Sequence, residues 1–298
     1  MSLLSDIGVL IGQIILGWLE VFARLFVSPA RKDVTGRIIL ITGAGHGFGR
    51  MMAHRFAKLG AKLVLWDVNK EGNEQTAREA KEFGATVFTY TVDCSKREDI
   101  YETGEKVKKD VGQVYMLINN AGVLAGRTLL ELTDEQIQRT MDVNVMAHFW
   151  TLRSFLPAML DSNEGHLVCI CSVAGKVGGH RLTDYTAAKH ATLGLHDSIQ
   201  QEIRVVYKKT GIKTTLVYPY FTNTGIIHEP GMRFGKMMDQ EPVSDQIVDA
   251  ILREKADVYI PADWRFNCLV RDLVPQRVYE AMQDFFKVEI PTQPDKEK

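Results

Sequence analysis

The stretch that decides the fold is ILITGAGHGFGR, residues 39–50, which places four glycines at positions 43, 45, 47 and 49. The common dinucleotide fingerprint G-x-G-x-x-G does not fit these glycines, whereas T-G-x-x-x-G-x-G does. An apolar run over residues 37–42 precedes the loop, and a helical pattern over residues 50–60 follows it. Because amides at a helix N-terminus attract phosphate, a strand, a glycine turn and a helix in this order predict a dinucleotide-binding site.

Three glycines of this loop are expected to have separate tasks. Gly43 permits a tight turn, Gly47 lets the backbone approach a phosphate, and Gly49 allows close contact between helix and strand. The candidate cofactor residues of the loop are Gly43, His46, Gly47, Phe48 and Gly49. A glycine turn between a strand and a helix is common, so this interpretation needs support from elsewhere in the chain.

Support comes from Asp67, which ends the next apolar run. A carboxylate at this position is expected to accept hydrogen bonds from the adenosine ribose hydroxyls and to repel a 2′-phosphate. The sequence therefore favours NAD over NADP as the cofactor. His46, a partial cation in the loop, weakly favours NADP.

Composition excludes some other classes of function. The 298 residues are 45% hydrophobic and 24% charged, and the formal net charge is −1. This near-neutral balance lacks the basic footprint of nucleic-acid-binding proteins, so no nucleic-acid partner is expected. The spacing of cysteines and histidines fits no zinc motif, so no metal site is predicted.

The N-terminal segment is more apolar than the rest of the chain. Residues 7–19 carry no charge, and Glu20 and Arg24 follow them. The segment lacks the basic start and small-residue cleavage site of a secretory signal. We therefore expect residues 1–30 to form a membrane anchor that lies in the interface, enters as a short hairpin or spans once. An amphipathic helix packed on the core is the alternative.

Two basic residues, Arg31 and Lys32, come directly after the predicted anchor. Basic residues that flank an apolar segment favour the cytosolic side of a membrane. The domain that follows is therefore expected to face the cytosol.

Seven short apolar runs alternate with helical patterns along the rest of the chain. The runs cover residues 37–42, 62–67, 86–92, 114–119, 165–172, 213–219 and 257–261. Apolar runs without clean alternation are typical of parallel strands covered on both faces. They predict an α/β fold, a single doubly wound parallel-sheet (Rossmann) domain of seven strands over residues 31–263. Residues 264–298 are expected to form a C-terminal helix and a polar tail.

Three polar residues in the second half of the chain suit proton transfer. Ser172 ends an apolar run, at the edge where α/β sheets bind ligands, and Tyr185 and Lys189 lie one helical turn apart. A phenol is a poor base at neutral pH, but a nearby ammonium and an oxidised nicotinamide both favour the phenolate. Ser172 can donate a hydrogen bond to a substrate oxygen as charge develops. A Tyr-x-x-x-Lys pair alone is also common on ordinary helices.

Taken in order, these motifs resemble the short-chain dehydrogenase/reductase family over residues 34–261. The matching segments are TGAGHGFG (42–49), Asp67, VDCS (92–95), NNAG (119–122), DVNV (142–145), Ser172, Tyr185, Lys189 and PYFTNTG (219–225). The resemblance implies that Tyr185 is the general acid/base and Ser172 orients the substrate oxygen. It also implies that Lys189 holds the nicotinamide ribose and that Asn144 positions a water in a proton relay to Lys189.

The same resemblance implies further cofactor contacts. Asp93 would meet the adenine. The other implied lining residues are Asn120, Ala121, Gly122, Tyr185, Lys189, Pro219, Thr222 and Thr224. One departure is Tyr220, which stands where the family usually has glycine and is expected to narrow the nicotinamide pocket.

Several segments, among them LVLWDVNK, VDCSKREDIY and AHFWTLRSFLPAML, are similar to a membrane-associated branch of this family. That branch contains the 17β-hydroxysteroid dehydrogenases types 11 and 13 and the epidermal retinol dehydrogenases. The resemblance implies an NAD-dependent oxidoreductase that acts on hydroxyl groups of steroids, retinol or related lipids. It also implies the endoplasmic reticulum membrane or the lipid-droplet surface as the location. A homodimer is expected.

Residues 220–242 form a long stretch without helical or strand periodicity. Its apolar members are Tyr220, Phe221, Ile226, Ile227, Met232, Phe234, Met237 and Met238. Loops of this length often serve as lids, so we predict an apolar lid over a lipid-like alcohol, with simple capping of the core as the alternative. Residues 264–288 are expected to be a second membrane-facing element, a dimer contact or a core helix.

Two rival functions stand beside the dehydrogenase. One is an NADPH-dependent reductase of lipophilic carbonyls, and the other is a non-catalytic binding protein of lipid droplets. The joint presence of Ser172, Tyr185 and Lys189 argues against the second, because a non-catalytic fold does not need all three.

Overall fold

The computed structural model describes residues 3–23, 26–228, 230–233 and 236–293. Arg24 of the predicted anchor, Phe234 of the predicted lid and residues 294–298 of the predicted tail lie outside this part of the chain. The same is true of the Glu20 side chain.

The seven predicted strands form one parallel sheet in the order β3-β2-β1-β4-β5-β6-β8. Its strands are β1 (Ile38–Thr42), β2 (Lys62–Asp67), β3 (Val87–Thr91), β4 (Met116–Asn119), β5 (Gly165–Ile170), β6 (Ile212–Pro219) and β8 (Asp257–Ile260). Two short strands, β7 (Gly231–Met232) and β9 (Val288–Glu289), pair antiparallel outside the sheet. The doubly wound α/β fold is confirmed, and the strand order reverses between β1 and β4.

Ten α-helices lie among the described residues. They are α1 (Leu3–Ala23), α2 (Gly47–Lys58), α3 (Lys70–Glu82), α4 (Arg97–Asp110), α5 (Asp134–Met141), α6 (Ala147–Ser162), α7 (Thr183–Gln201), α8 (Gln240–Leu252), α9 (Trp264–Leu273) and α10 (Gln276–Phe286). Side chains of successive strand residues point to opposite faces of the sheet. In β1, Ile39 and Ile41 therefore join a core with α2, α3 and α8, whereas Leu40 joins a second core with α4 and α6. Burial on both faces explains the apolar character of central strands such as β1 and β4, whereas β3 at the edge of the sheet is only partly buried.

A π-helical turn, Asp142–Met146, separates α5 from α6. Thr133 and Gln136 form a capping box at the start of α5, so this helix begins at a defined residue. The π turn follows two helical turns later and contains Asn144. Single π turns inside α-helices often occur at functional sites because they redirect a side chain.

The N-terminal helix α1 is continuous and solvent-exposed, with a mean hydropathy of 1.7 over its most apolar window. Its 21 residues correspond to about 31 Å, close to the hydrocarbon thickness of a bilayer. The hairpin and the helix packed on the core are therefore not found. Among the described residues, α1 is the one helix long and apolar enough to cross a membrane, and it could anchor the protein there.

The basic pair after α1, Arg31 and Lys32, is tied to the sheet domain. Arg31 Nη2 lies 2.6 Å from Asp249 Oδ1, and Lys32 Nζ lies 2.6 Å from His166 Nδ1. Burial lowers the pKa of Lys32 to about 8. These side chains join the linker to the sheet and α8, a role that the sequence did not indicate. The cytosolic orientation stays a prediction.

Candidate active site

The glycine loop has a backbone that only glycine accommodates at several positions. Gly43 and Gly47 have φ angles of +66° and +53°, in the left-handed region. A Cβ atom at Gly49 would lie 2.0 Å from the carbonyl oxygen of Gly43. The tight turn and the close contact between α2 and β1 therefore have the geometry that the sequence predicted.

Helix α2 begins directly at this loop, and its N-terminus has no side-chain cap. His46 is the N-cap residue, but it is exposed and its side chain accepts no hydrogen bond from the first helical turn. Phe48 is half-buried against the core beside α2. Amides at the start of α2 thus lack a capping side chain at the place where a pyrophosphate would be held.

Asp67 at the carboxyl end of β2 is buried and braces the loop. Its Oδ2 atom accepts a 2.7 Å hydrogen bond from the Gly45 amide, and Oδ1 accepts a 2.8 Å hydrogen bond from the Asn69 amide. The sequence predicted only ribose recognition for this carboxylate. Since each carboxylate oxygen has a second lone pair, Asp67 can brace the loop and still accept a bond from a ribose hydroxyl.

Arg50 holds the other backbone polar group of Gly45, its carbonyl oxygen. Its guanidinium donates to the carbonyl oxygens of Gly45 and Gly72 and, at 3.0 Å, to Thr76 Oγ1. Asp67 and Arg50 therefore fix both polar groups of Gly45. Sequence reasoning missed Arg50, although its position directly after the loop was a usable signal.

The segment after β4 is joined to the loop through Thr42. The amides of Asn120 and Ala121 both donate 3.0 Å hydrogen bonds to Thr42 Oγ1. The Asn120 side chain donates to the carbonyls of Thr42 and Gly43 at 2.8 and 3.1 Å. The T-G and N-N-A-G motifs therefore form one unit across β1 and β4. Thr42 is a further residue that the sequence analysis had not singled out.

Tyr185 and Lys189 meet on α7 as their spacing predicted. Lys189 Nζ lies 5.5 Å from the centroid of the Tyr185 ring. Lys189 is buried, and the same Nζ atom donates a 3.0 Å hydrogen bond to the Ile170 carbonyl at the end of β5. Ser172 follows two residues later, half-buried, and its Oγ atom accepts a 3.1 Å bond from the Ala174 amide.

Two opposing effects act on the pKa of Lys189. Burial disfavours its charge, but interaction with Tyr185 and with the thiols of Cys171 and Cys169, as groups that can become anionic, outweighs burial and raises the pKa of Lys189. Lys189 is therefore charged at neutral pH, next to the aromatic ring of Tyr185.

Asn144 lies in the π turn and is fully buried. Its side chain accepts a 2.8 Å hydrogen bond from the Val123 amide and donates a 2.9 Å bond to the Val123 carbonyl. Its own backbone carbonyl accepts a 2.8 Å bond from Thr192 Oγ1. A Cβ atom at Gly122 would lie 3.4 Å from Asn144 Oδ1 and 3.8 Å from Lys189 Nζ, so Asn144 and Lys189 converge there.

Two of the remaining cofactor candidates, Thr222 and Asp93, form side-chain hydrogen bonds with residues of the turns in which they lie. Thr222 is buried, and its Oγ1 atom donates a 2.9 Å bond to the Tyr220 carbonyl. Asp93 Oδ1 accepts bonds from the Ser95 amide and hydroxyl. Burial opposes ionisation of Asp93, but the bonds from Ser95 outweigh it, so the pKa of Asp93 lies below its usual value.

Thr224 reaches the glycine loop from the other side. A Cβ atom at Gly47 would lie 3.2 Å from Thr224 Cβ. Pro219 ends β6, and the chain from there to Thr224 spans the carboxyl edge of the sheet. This segment therefore packs against the glycine loop at Gly47.

Tyr220 stacks on Trp264 with ring centroids 4.3 Å apart. Its ring belongs to a cluster that includes Tyr218 and Tyr259, and its hydroxyl lies 3.5 Å from Met232 Sδ. The Tyr220 ring, which was expected to narrow the nicotinamide pocket, packs against Trp264 of α9 instead.

An apolar cluster lies against Tyr185. Its buried members are Leu124, Leu182, Ile227 and Ile290, and those packed around them include Phe221, Ile226, Met237 and Val288. Part of the predicted lid thus lines the site. Met238 is different, because it packs against the main core beside α8, as the capping alternative predicted.

The end of the chain departs from the predicted polar tail. Ile290 and Gln293 are 2% and 3% exposed, and β9 pairs with β7 of the lid. Within the described residues, no group of three or more His, Cys, Asp or Glu side chains could hold a metal ion.

Comparison with known proteins supports this architecture. The family model of the short chain dehydrogenases matches residues 37–231. Human estradiol 17-beta-dehydrogenase 11 is 45% identical over 277 residues, which cover 93% of this chain and 92% of that protein. Mouse epidermal retinol dehydrogenase 2 is 43% identical over 288 residues, 95% of this chain and 93% of that protein.

Solved structures agree on the fold. A short chain dehydrogenase/reductase from Burkholderia phymatum in complex with NAD has a TM-score of 0.73 and 26% identity, covering 88% of this chain and all of that chain. A metagenomic short-chain oxidoreductase in complex with NADP has a TM-score of 0.64 and 26% identity, covering 76% of this chain and 96% of that chain. Nicotinamide dinucleotides of both kinds thus occur among its structural neighbours.

Proposed function

Because this chain belongs to the short-chain dehydrogenase/reductase family, we propose that it oxidises a lipophilic alcohol with NAD and uses Tyr185 as the general base. The observation that carries the proposal is the buried Lys189 ammonium 5.5 Å from the Tyr185 ring, beside an apolar cluster. Steroid and retinol dehydrogenases among the relatives support a steroid, retinol or related lipid as the substrate.

The residues present fit a dinucleotide. Gly43 and Gly49 leave no room for a Cβ atom, and α2 begins without a side-chain cap, which suits a pyrophosphate. Asp67 stands where the adenosine ribose is expected and supports NAD over NADP, because a buried carboxylate repels a 2′-phosphate. The loop residues His46, Gly47 and Phe48 complete the proposed contact.

Other segments extend the proposed cofactor site along the cleft. The proposed lining residues there are Asp93, Asn120, Ala121, Gly122, Pro219, Thr222 and Thr224. Thr224 has the most direct support, because it lies against Gly47 of the glycine loop.

When bound, NAD would supply the hydride acceptor for the alcohol carbon. The Tyr185 phenolate accepts the hydroxyl proton, and Lys189 stabilises that phenolate by its charge. Ser172 donates a hydrogen bond to the substrate oxygen as it becomes an alkoxide. For the reverse reaction the same groups act with the proton on Tyr185.

Asn144 is proposed as the residue that returns the proton toward solvent. Its side-chain amide is engaged by Val123, so its contribution to a water near Lys189 comes through the backbone carbonyl of the π turn. We propose that this carbonyl, besides accepting the bond from Thr192, accepts a hydrogen bond from a water.

We further propose that α1 anchors the enzyme to the endoplasmic reticulum membrane or a lipid droplet, with the catalytic domain in the cytosol. The exposed apolar surface of α1 supports an anchor, and lipophilic substrates concentrate in such membranes. A homodimer is also proposed, and the exposed Met146 and Phe149 at the start of α6 offer an apolar contact.

The test is turnover of a panel of retinol, estradiol and long-chain alcohols by full-length enzyme in detergent or membranes. NADH formation by the wild type and its loss in the Tyr185→Phe variant would support the proposal. Tight NADPH binding with reduction of the corresponding ketones and no alcohol oxidation would instead identify a carbonyl reductase.

A further inference from the structure

The last described residues run back across the active site. We define residues 288–293 as the C-terminal strap. Its first two residues are β9, which pairs antiparallel with β7, so that Gly231 faces Glu289 and Met232 faces Val288. The strap therefore continues the lid rather than extending into solvent as a tail.

The residues just before α7 hold the middle of the strap. The Ile290 amide donates a 3.0 Å hydrogen bond to His180 Nε2, and Arg181 Nη1 donates a 2.8 Å bond to the Ile290 carbonyl. Arg181 has a φ angle of +56°, a left-handed conformation that is unfavourable for a residue with a side chain. Tertiary contacts such as the bond to Ile290 must support this conformation.

Gln293 fastens the strap to the lid. Its Oε1 atom accepts a 2.7 Å hydrogen bond from the His228 amide, and its Nε2 atom donates to the His228 carbonyl at 3.2 Å. The same Nε2 atom donates a 2.8 Å bond to the Pro291 carbonyl. A side-chain amide that is 3% exposed thus uses its donor and acceptor on defined partners.

Gln293 also contacts the loop after β4. The backbone amide of Gln293 donates a 3.2 Å hydrogen bond to the Gly126 carbonyl. A Cβ atom at Gly126 would lie 2.2 Å from Gln293 Cγ, so the Gln293 side chain packs directly on Gly126 and leaves no room for a larger residue there. Three segments that surround Tyr185 therefore meet at one glutamine.

Ile290 places the strap in the apolar cluster that faces Tyr185. It is 2% exposed and lies with Leu124, Leu182 and Ile227. A branched apolar side chain at this point limits the depth of any pocket that opens over Tyr185.

We propose that the C-terminal strap is a wall of the substrate pocket, that Gln293 is the positioning residue that fastens the lid over Tyr185, and that Ile290 sets the size of lipophilic substrate accepted. The inference rests on the proposed function for the identity of the substrate, but the fastening of the lid is independent of it. A buried side-chain amide with three hydrogen bonds is a strong clasp, because removing it leaves its partners unsatisfied.

The fastening is tested by hydrogen exchange of the His228 amide in full-length Gln293→Ala enzyme. We expect its exchange to accelerate at least roughly tenfold, the scale of one lost buried hydrogen bond, while amides of the seven-stranded sheet stay protected. The matched control is Gln276→Ala, an exposed glutamine on α10. An unchanged His228 exchange rate in Gln293→Ala would overturn the clasp.

A glycine pair gives an independent test of the same contact. Gly126→Ala expels Gln293, whereas Gly36→Ala places a methyl group in open space at a similar φ angle of +71°. Gly126→Ala should reproduce the Gln293→Ala exchange pattern and Gly36→Ala should not. Equal behaviour of the two alanine variants would contradict the proposal.

The pocket wall is tested by steady-state kinetics with retinol, estradiol and cyclohexanol as probes. Gln293→Ala should raise KM for retinol and estradiol roughly tenfold with an unchanged Kd for NADH. Ile290→Trp should lose retinol and estradiol turnover but retain cyclohexanol, and Ile290→Ala should not discriminate against the larger probes. Parallel effects of Ile290→Trp on all three alcohols would overturn the role of Ile290.

These readouts separate the two proposals. If the wild type oxidised none of the probes, the proposed function would fail, and the His228 exchange rate would still decide for or against the clasp. If the wild type oxidised them and Gln293→Ala behaved as the wild type in exchange and KM, the strap proposal alone would fail.

Discussion

Lys189 and Tyr185 face each other one turn apart on α7, with the lysine Nζ atom 5.5 Å from the tyrosine ring centroid and 3.0 Å from the Ile170 carbonyl oxygen. The hydrogen bond to the Ile170 carbonyl thus holds the buried Lys189 ammonium next to the Tyr185 phenol. The same strand end leads to Ser172, so one sheet edge positions both partners of Tyr185.

Replacement of Lys189 by methionine should abolish most of the activity without unfolding the protein. We expect kcat to fall by about 10²–10⁴, the usual scale for a missing acid–base contribution. The melting temperature should change little or rise, since an apolar side chain replaces a buried charge. A variant that melted far below the wild type would show that Lys189 acts chiefly in folding.

Asp67→Asn should weaken both the loop and the cofactor site. Asparagine has one acceptor oxygen, so it can accept only one of the two hydrogen bonds that the carboxylate receives from Gly45 and Asn69, and about 1–3 kcal/mol of stability should be lost. NADH affinity should fall at least roughly tenfold through the lost ribose contact. Urea unfolding and NADH titration measure the two effects, and unchanged NADH binding would contradict the assigned role.

Gly49→Ala should destabilise the protein strongly, because its Cβ atom would lie 2.0 Å from the Gly43 carbonyl oxygen. The matched control is Gly194→Ala on α7, where no atom lies within 4 Å of the added methyl. In a helix, that control should stabilise by about 0.5–1 kcal/mol. Thermal unfolding distinguishes the two, and equal midpoints would refute the close contact between α2 and β1.

Stability should fall in mild acid because buried histidines resist protonation. Burial lowers the pKa of His148 to about 3 and that of His196 to about 4. Between these values and about 6.5 the unfolded chain binds protons that the folded chain does not, so the free energy of unfolding decreases as the pH falls.

Each of these histidines contributes up to about 1.4 kcal/mol per pH unit in that window. A His148→Leu variant should therefore show a shallower loss of stability between pH 6.5 and pH 5 than the wild type. Urea unfolding across that range checks it, and parallel curves for both proteins would disprove the contribution of His148.

The sheet could be predicted from sequence because its strands are buried on both faces. In β1 every residue from Ile39 to Thr42 is buried, so the apolar run coincides with the strand. Tyr185 and Lys189 were predictable for a related reason, since helical spacing alone brings them to one face.

Roles that depend on distant partners were not predictable in the same way. Lys32 has the character of a flanking charge, but it contacts His166, 134 residues away. Gln293 stands in a polar stretch and becomes buried only because Gly126 and His228 receive it. Such contacts arise from the folded topology, and no local pattern in the chain encodes them.

The most direct test of the central claim compares the wild type with Tyr185→Phe in the oxidation of retinol and estradiol by NAD. Both proteins should bind NADH with similar affinity, because phenylalanine keeps the aromatic ring and removes only the phenol oxygen that takes the substrate proton. We predict NADH formation by the wild type and a loss of at least about 10²-fold in kcat for the variant. Full activity of Tyr185→Phe with either alcohol would contradict the account.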